Sequence, residues 1–162
     1  MKDESLEQFK EITKLINTNV EKAQEYAINL SDKAIEKYPE DKDLYIYLQA
    51  LANINLAKPL EALDLYKKIN FFSKAFSTFG EAFLNNGIAN FARVFYDSGN
   101  FAESFKIISL IENYLNKTDD IFALHTAVRI YFENDEFEKM KKVCERVTAL
   151  NINISPDGWH IS

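Results

Sequence analysis

The 162-residue sequence has few residues that interrupt helices, with only 4 glycines and 3 prolines. Strand-rich domains need many turn residues, so this scarcity favours long helices joined by short turns. The one cysteine, Cys144, cannot form an internal disulfide, and no uncharged apolar run approaches the roughly 18 residues that span a bilayer. The start of the sequence lacks the apolar core of a secretory signal. These absences predict a cytoplasmic protein that is not embedded in a membrane.

Charge and apolar content narrow the class of partner. Hydrophobic residues make up 47% of the chain and charged residues 27%, which is too apolar for a disordered protein. The formal net charge of −6 would repel phosphate backbones and anionic lipids on average. We therefore expect neither nucleic acid nor a membrane surface as partner. The length suits a single domain over residues 1–162, in which 151–162 form a C-terminal tail.

Apolar residues recur at spacings of three and four, which is typical of helix faces. The pattern predicts helices near residues 5–17, 20–38, 43–57, 59–70, 78–97, 101–116, 120–133 and 136–149. Their starts are marked by a capping residue followed three positions later by Glu or Gln. These pairs are Ser5 with Gln8, Thr18 with Glu21, Thr78 with Glu81, Asn100 with Glu103, and Asp135 with Glu138. Asp119 and Asp120 are expected to cap the helix that begins near residue 120.

The predicted second helices of successive pairs share one spacing, in which a compact residue is followed by a bulky one four later and an apolar one three after that. The sets are Ala27, Ser31 and Ala34; Ala62, Tyr66 and Ile69; Ser104, Ile108 and Ile111; and Met140, Cys144 and Val147. Their leading members are 35, 42 and 36 residues apart. Two of these intervals are close to a 34-residue unit, and the third implies an insertion between residues 69 and 80.

This pattern resembles the tetratricopeptide repeat, which carries Leu-Gly-x2-Tyr in its first helix and Ala-x3-Phe followed by Pro in its second. The third pair reads Phe91-Ala92-x2-Phe95 and then Ser104-x3-Ile108, and the fourth offers Ala127-Val128-x2-Tyr131. The resemblance implies an all-α fold, an α-solenoid of about four stacked antiparallel helix-turn-helix hairpins. Such hairpins form a right-handed superhelix with a concave side.

In the tetratricopeptide family the first helices line the concave groove, and matching positions of successive repeats stack above one another. Arg93 and Arg129, 36 residues apart, hold matching positions in this register. The same register places on the groove wall Asn86, Asn90, Arg93 and Tyr96 of the third hairpin and Phe122, His125, Arg129 and Phe132 of the fourth, with Tyr47 and Leu51 of the second continuing it. Two guanidiniums and an amide suit a carboxylate or an acidic peptide. The alternative is that both arginines pair with local acidic residues.

Four phenylalanines in the inserted stretch form a second candidate surface. Phe72, Phe76, Phe79 and Phe83 follow a helical spacing, so one helix there would carry a continuous aromatic stripe. The stripe either packs between hairpins or serves as a dimer or partner patch. Thr78 and Gly80 would instead break the helix and split the stripe.

Residue sets that suit catalysis or a cofactor are missing from the sequence. Cys144 is expected in the core beside Met140 and Val147. The only histidines, His125 and His160, lie in no metal-binding spacing. We predict no enzyme activity, no cofactor and no metal.

The expected function is a non-catalytic adaptor or chaperone-like module that binds a peptide or a partner protein in its groove. Two alternatives remain open. One is a small acidic inhibitory or immunity-type protein that blocks a specific enzyme or toxin. The other is a secretion chaperone of similar size and repeat type.

Overall fold

The computed structural model describes residues 1–150 in full, together with the backbone of residues 152–155 and 158–161. The described α-helices are α1 (Asp3–Asn17), α2 (Glu21–Lys37), α3 (Lys42–Asn55), α4 (Pro59–Lys67), α5 (Lys74–Ser77), α6 (Gly80–Asp97), α7 (Phe101–Ser109), α8 (Glu112–Leu115), α9 (Ile121–Glu133) and α10 (Phe137–Ala149). A 3-10 turn, Pro39–Asp41, precedes α3. Strands β1 (Ile152–Ser155) and β2 (Gly158–Ile161) pair antiparallel within the predicted tail. The predicted helical class is confirmed. The side chain of His160 lies outside the described part of the chain.

The chain divides into two compact units, Met1–Gly87 and Ile88–Ser162. In the first unit, α1 packs on α2 and α3, α2 packs on α3, and α3 packs on α4 and α5. In the second unit, α9 packs on α7, α8 and α10. Consecutive helices therefore pack on one another from α1 to α4 and from α8 to α10. A single domain over the whole chain stays a prediction.

A three-residue turn of one conformation joins α1 to α2, α3 to α4, α6 to α7 and α9 to α10. Its middle residue has a positive φ in all four cases: 58° at Asn19, 57° at Ala57, 79° at Gly99 and 59° at Asp135. A left-handed residue just past the end of a helix reverses the chain and lets backbone donors reach the last carbonyls of the helix. The four turns thus repeat one helix ending along the chain.

Hydrogen bonds close these turns in a repeating way. The backbone N–H after the left-handed residue donates to the carbonyl five residues back, at 2.9 Å in each case, for Lys58 to Asn53, Asn100 to Phe95, and Glu136 to Tyr131. The first turn differs, because the buried amide of Gln24 donates to the carbonyls of Ile16, at 2.9 Å, and Leu15, at 3.4 Å. The side-chain amide of Asn55 also donates to the carbonyl of Ile16, at 3.2 Å. At every turn, donors therefore reach carbonyls at the end of the first helix.

The repeating sets of the second helices lie in the core, as a packed hairpin requires. All three members are buried in the sets that begin at Ala27, Ala62 and Ser104. The last set differs, because Met140 and Cys144 are only half-buried while Val147 is buried. Val143, four residues before Val147, is buried as well, so α10 turns the face of Val143 and Val147 inward. The prediction of Cys144 as a core residue is therefore wrong in detail.

Two helix predictions differ from the structure. The helix predicted over 101–116 is divided into α7 and α8, because the N–H groups of Leu110 and Ile111 bond to carbonyls three residues back, each at 3.1 Å. Neither proline nor glycine marks this break in the sequence. The helix predicted to reach residue 70 ends at Lys67, and the short α5 lies in the inserted stretch.

The capping predictions had mixed outcomes. Asp120 caps α9, since its Oδ1 accepts from the N–H of Ala123 at 3.1 Å. Ser5 instead lies inside α1, where it is buried and its hydroxyl donates to a carboxylate oxygen of Asp41. Thr18 follows the end of α1 rather than starting α2. A serine or threonine at capping spacing is therefore a weaker signal here than the buried hydrogen bonds that compete for it.

The four phenylalanines of the predicted stripe are divided between segments of the first unit. Phe76 is buried on α5, Phe79 precedes α6, and Phe83 lies on α6. The helix is broken at Thr78 and Phe79, just before Gly80, so the stripe is split as the alternative with Thr78 and Gly80 predicted. Phe79 stacks on Phe9 with ring centroids 4.9 Å apart. Phe83 and Phe76 pack on Tyr47 at 5.6 and 5.7 Å. Three of the four rings therefore pack inside the unit, whereas Phe72 is 74% exposed.

Candidate functional site

The predicted groove residues of the second unit lie on exposed or half-buried faces of α6 and α9. On α6 these are Asn90, Arg93 and Tyr96, and on α9 they are Phe122, His125, Arg129 and Phe132. Asn86 lies on the part of α6 that belongs to the first unit, so the second unit does not include it. Tyr47, predicted to continue the wall, is buried in the aromatic core of the first unit. We call Arg93, His125 and Arg129 together the arginine site.

Arg93 is held in place by its own helix. Its Nε donates to Oδ1 of Asp97, four residues along α6, at 3.0 Å. The centre of its guanidinium lies 5.9 Å from the ring centroid of Tyr96, within the range of a cation–π contact. Both contacts orient the guanidinium and leave its two terminal nitrogens without an ion pair to residues of the described chain. The alternative prediction of a local acidic partner thus holds at Arg93, although it involves Nε alone.

Arg129 is also held through its Nε, but its partner is not an acid. The Nε donates to Nε2 of His125, four residues earlier on α9, at 3.1 Å. Among residues 1–150, no carboxylate forms an ion pair with Arg129. The exposed guanidinium therefore presents its terminal nitrogens without a local counter-charge, and the alternative of local pairing is wrong for Arg129.

The two guanidiniums act on the same imidazole. The pKa of His125 is lowered from its ordinary value of 6.5, first by burial and then by the charges of Arg129 and Arg93. Both effects disfavour a cationic imidazole. His125 is therefore neutral near pH 7, in agreement with its role as a hydrogen-bond acceptor. Arg93 and Arg129 together raise the electrostatic potential at this point of a chain whose net charge is −6.

Aromatic side chains border the arginine site at matching positions. Tyr96 packs on Phe101 with ring centroids 5.3 Å apart, and Phe132 packs on Phe137 at 6.3 Å. Each pair joins the last turn of a first helix to the first residue of the next helix, and the two pairs are 36 residues apart. Phe132 is 57% exposed. The site thus combines cationic groups with apolar surface at repeated positions.

The arrangement can bind an anion through well-ordered donors. A guanidinium whose Nε is already held loses little further freedom when its terminal nitrogens grip a carboxylate, and such charge-assisted pairs are strong and directional. Sequence reasoning missed Asp97, although its spacing of four from Arg93 on one helix face is a readable signal. It also missed the bond from Arg129 to His125, which has the same spacing.

Other site classes find no support in the described part of the chain. No group of three or more His, Cys, Asp or Glu side chains there is placed to hold a metal ion. No helix of that part is both long and apolar enough to cross a bilayer. Comparisons with protein-family models, curated proteins and solved structures find no match to this chain. The function proposed below is therefore based on the residues and geometry of the chain itself.

Proposed function

We propose that this chain is a non-catalytic protein-binding module of the tetratricopeptide type, an adaptor or chaperone-like protein that holds an acidic peptide segment of a partner. In this proposal the hairpins stack as a right-handed solenoid whose first helices line a concave groove. The four equivalent turns support it, because they give each hairpin the same closing geometry. The packing of α1 on α3 and of α7 on α9 also supports it, since successive hairpins of a solenoid contact one another in this way.

Small residues at one register support the same proposal. Ala50 on α3 and Ala92 on α6 are fully buried. Each lies 12 residues before the first member of the repeating set in the next helix, which is Ala62 after Ala50 and Ser104 after Ala92. Ala62 and Ser104 are fully buried too. Small side chains at two such positions let the paired helices approach closely, which is the role of these positions in the tetratricopeptide pattern.

The observation that carries the functional proposal is the state of the two arginines. Each has its Nε engaged by a side chain of its own helix, and each keeps terminal nitrogens that no described carboxylate neutralises. Hydrogen bonds to charged groups contribute about 1.5–3 kcal/mol each. An acidic group of a partner would therefore gain from both guanidiniums, while its apolar neighbours would contact Phe122 or Phe132.

The test is selection from a random peptide library displayed with free carboxyl ends, followed by affinity measurements on the recovered peptides. We expect enrichment of peptides with Asp, Glu or a terminal carboxylate next to an apolar residue. Arg93→Ala and Arg129→Ala should each weaken binding by about ten- to a hundredfold, which corresponds to the loss of one charge-assisted pair. The double variant Lys141→Ala and Lys142→Ala removes as much charge as the two arginine changes together, but from exposed positions of α10, and should bind as the native protein does.

Three results would count against the proposal. Recovery of peptides without acidic groups would show that the ligand is not an anion. Equal weakening by the arginine and lysine variants would show only a general charge effect. Binding of a whole partner that survives the arginine changes but weakens with salt would favour the acidic inhibitor instead.

A further inference from the structure

We propose that the arginine site takes up one proton at His125 when it binds an anionic ligand, so that ligand affinity is coupled to pH. This inference rests on the proposed function, because it concerns how the same site holds its acidic ligand.

The geometry of the Arg129–His125 pair carries the proposal. A guanidinium has no acceptor, so the 3.1 Å contact between Arg129 Nε and His125 Nε2 requires a lone pair on Nε2. A protonated imidazole has N–H groups at both nitrogens and cannot accept. Protonation of His125 therefore breaks this bond and releases the Nε of Arg129. Nε2 of His125 can either accept the bond from Arg129 or carry a proton, but not both.

An anion reverses the balance between these two states. In the free protein, Arg129 and Arg93 both oppose a positive charge on His125. A carboxylate held by their terminal nitrogens cancels much of that field. One proton from solvent then binds at Nε2, which becomes a donor, and the released Nε of Arg129 donates to the ligand. The site changes from two cations and an acceptor to three groups that can all donate.

Several charged groups on the helices of the second unit form ion pairs with one another. On α6, the charge of Arg93 is accompanied by that of Asp97. On α7, Lys106 pairs with Glu103 at 3.1 Å. Between α8 and α10, Glu112 pairs with Lys139 at 2.9 Å. Burial and the charges of Arg129 and Arg93 lower the pKa of His125, so an anion bound by these two arginines acts directly on that pKa.

The direction of the pH dependence follows from linkage. The pKa of free His125 lies below 6.5, and the bound anion raises it. Affinity therefore increases as the pH falls through the pKa of the complex, and it levels off below the pKa of the free protein. Uptake of one proton limits the slope to about tenfold per pH unit. Carboxylates stay ionised above about pH 5.5, so the ligand does not contribute in that window.

The experiment uses a tetramethylrhodamine-labelled peptide, Gly-Phe-Asp-Glu-Asp-Glu with a free carboxyl end, and fluorescence anisotropy from about pH 5.5 to about pH 8. Native protein should bind up to tenfold more tightly for each unit that the pH falls within the window. His125→Gln keeps an acceptor for Arg129 but does not titrate, so its affinity should stay at the native high-pH value. A flat native profile, or the same slope in His125→Gln, would overturn the proton coupling.

Nitrogen-detected NMR of the native imidazoles gives a second readout that does not depend on a variant. In the free protein at neutral pH, His125 should carry its proton at Nδ1 alone, and saturation with the peptide at pH 6.5 should protonate Nε2 as well. A His160→Ala sample assigns the two histidine signals. An unchanged Nε2 at saturation would sink the inference while leaving the proposed function standing. Absence of peptide binding at every pH, or binding unaffected by Arg93→Ala with Arg129→Ala, would instead sink the proposed function.

Discussion

Ser5 ties α1 to the residues at the start of α3. Its hydroxyl donates to Oδ2 of Asp41 at 2.8 Å, and the hydroxyl of Tyr45 donates to the carbonyl of Ser5 at 2.7 Å. Asp41 is 3% exposed, so its carboxylate depends on such donors. Burial raises the pKa of Tyr45, so its hydroxyl remains a donor well above neutral pH. These contacts between residues about 40 positions apart fix the pairing of α1 with α3.

Replacing Ser5 by alanine should lower the free energy of unfolding by about 1–3 kcal/mol, because a buried carboxylate loses a donor. Urea denaturation followed by circular dichroism measures the change. Thr148→Ala is a matched control, since within residues 1–150 that exposed hydroxyl bonds only to the Cys144 carbonyl of its own helix. Its effect should stay within about 0.5 kcal/mol. Equal effects of the two changes would show that the Ser5 contacts are not formed.

The four turns between paired helices are the clearest repeated element. Glycine occupies the left-handed position in only one of them, Gly99, while Asn19, Ala57 and Asp135 occupy the others. Alanine is the least suited of these, because its Cβ crowds the following carbonyl when φ is positive. A Cβ added at Gly99 would meet nothing within 4 Å, so only backbone conformation distinguishes the two residues there.

Exchanging these two residues should have opposite effects. Ala57→Gly should raise the free energy of unfolding by up to about 1 kcal/mol, because relief of strain exceeds the added freedom of the unfolded chain. Gly99→Ala should lower it by about 1 kcal/mol. Thermal and urea unfolding of both variants measure the two changes in the free energy of unfolding. Changes of the same sign would contradict the turn geometry.

Sequence periodicity predicted most helices because each has one apolar face, and α1, α9 and α10 begin within two residues of their predicted starts. Sequence periodicity failed where long-range contacts determine where a helix begins or ends. Ser5 satisfies a capping pattern but is engaged by Asp41, and the end of α7 is marked by no helix-breaking residue. The repeat predicted that Arg93 and Arg129 lie at surface positions of their helices, as they do, whereas it did not predict the partner of either arginine.

At the scale of the whole molecule, the described chain places a small cationic site on an acidic protein. The net charge of −6 disfavours anionic ligands in general, so binding of an acidic peptide requires a local exception. In the proposed function Arg93 and Arg129, two of the three arginines in the chain, provide this exception. The third, Arg146, is occupied by the loop before α9. It donates to the Lys117 carbonyl at 2.9 Å and to the Asp119 carboxylate at 2.6 Å.

NMR of the arginine Nε–H signals during titration with the acidic peptide tests the central claim most directly, because the chain supplies its own control. The two arginines of the site should shift with a common saturation curve, since both change partners or surroundings on binding. The Arg146 signal should stay in place, because its contacts lie within the loop. Equal shifts of all three signals, or no shift of Arg93 and Arg129 at saturation, would contradict the account.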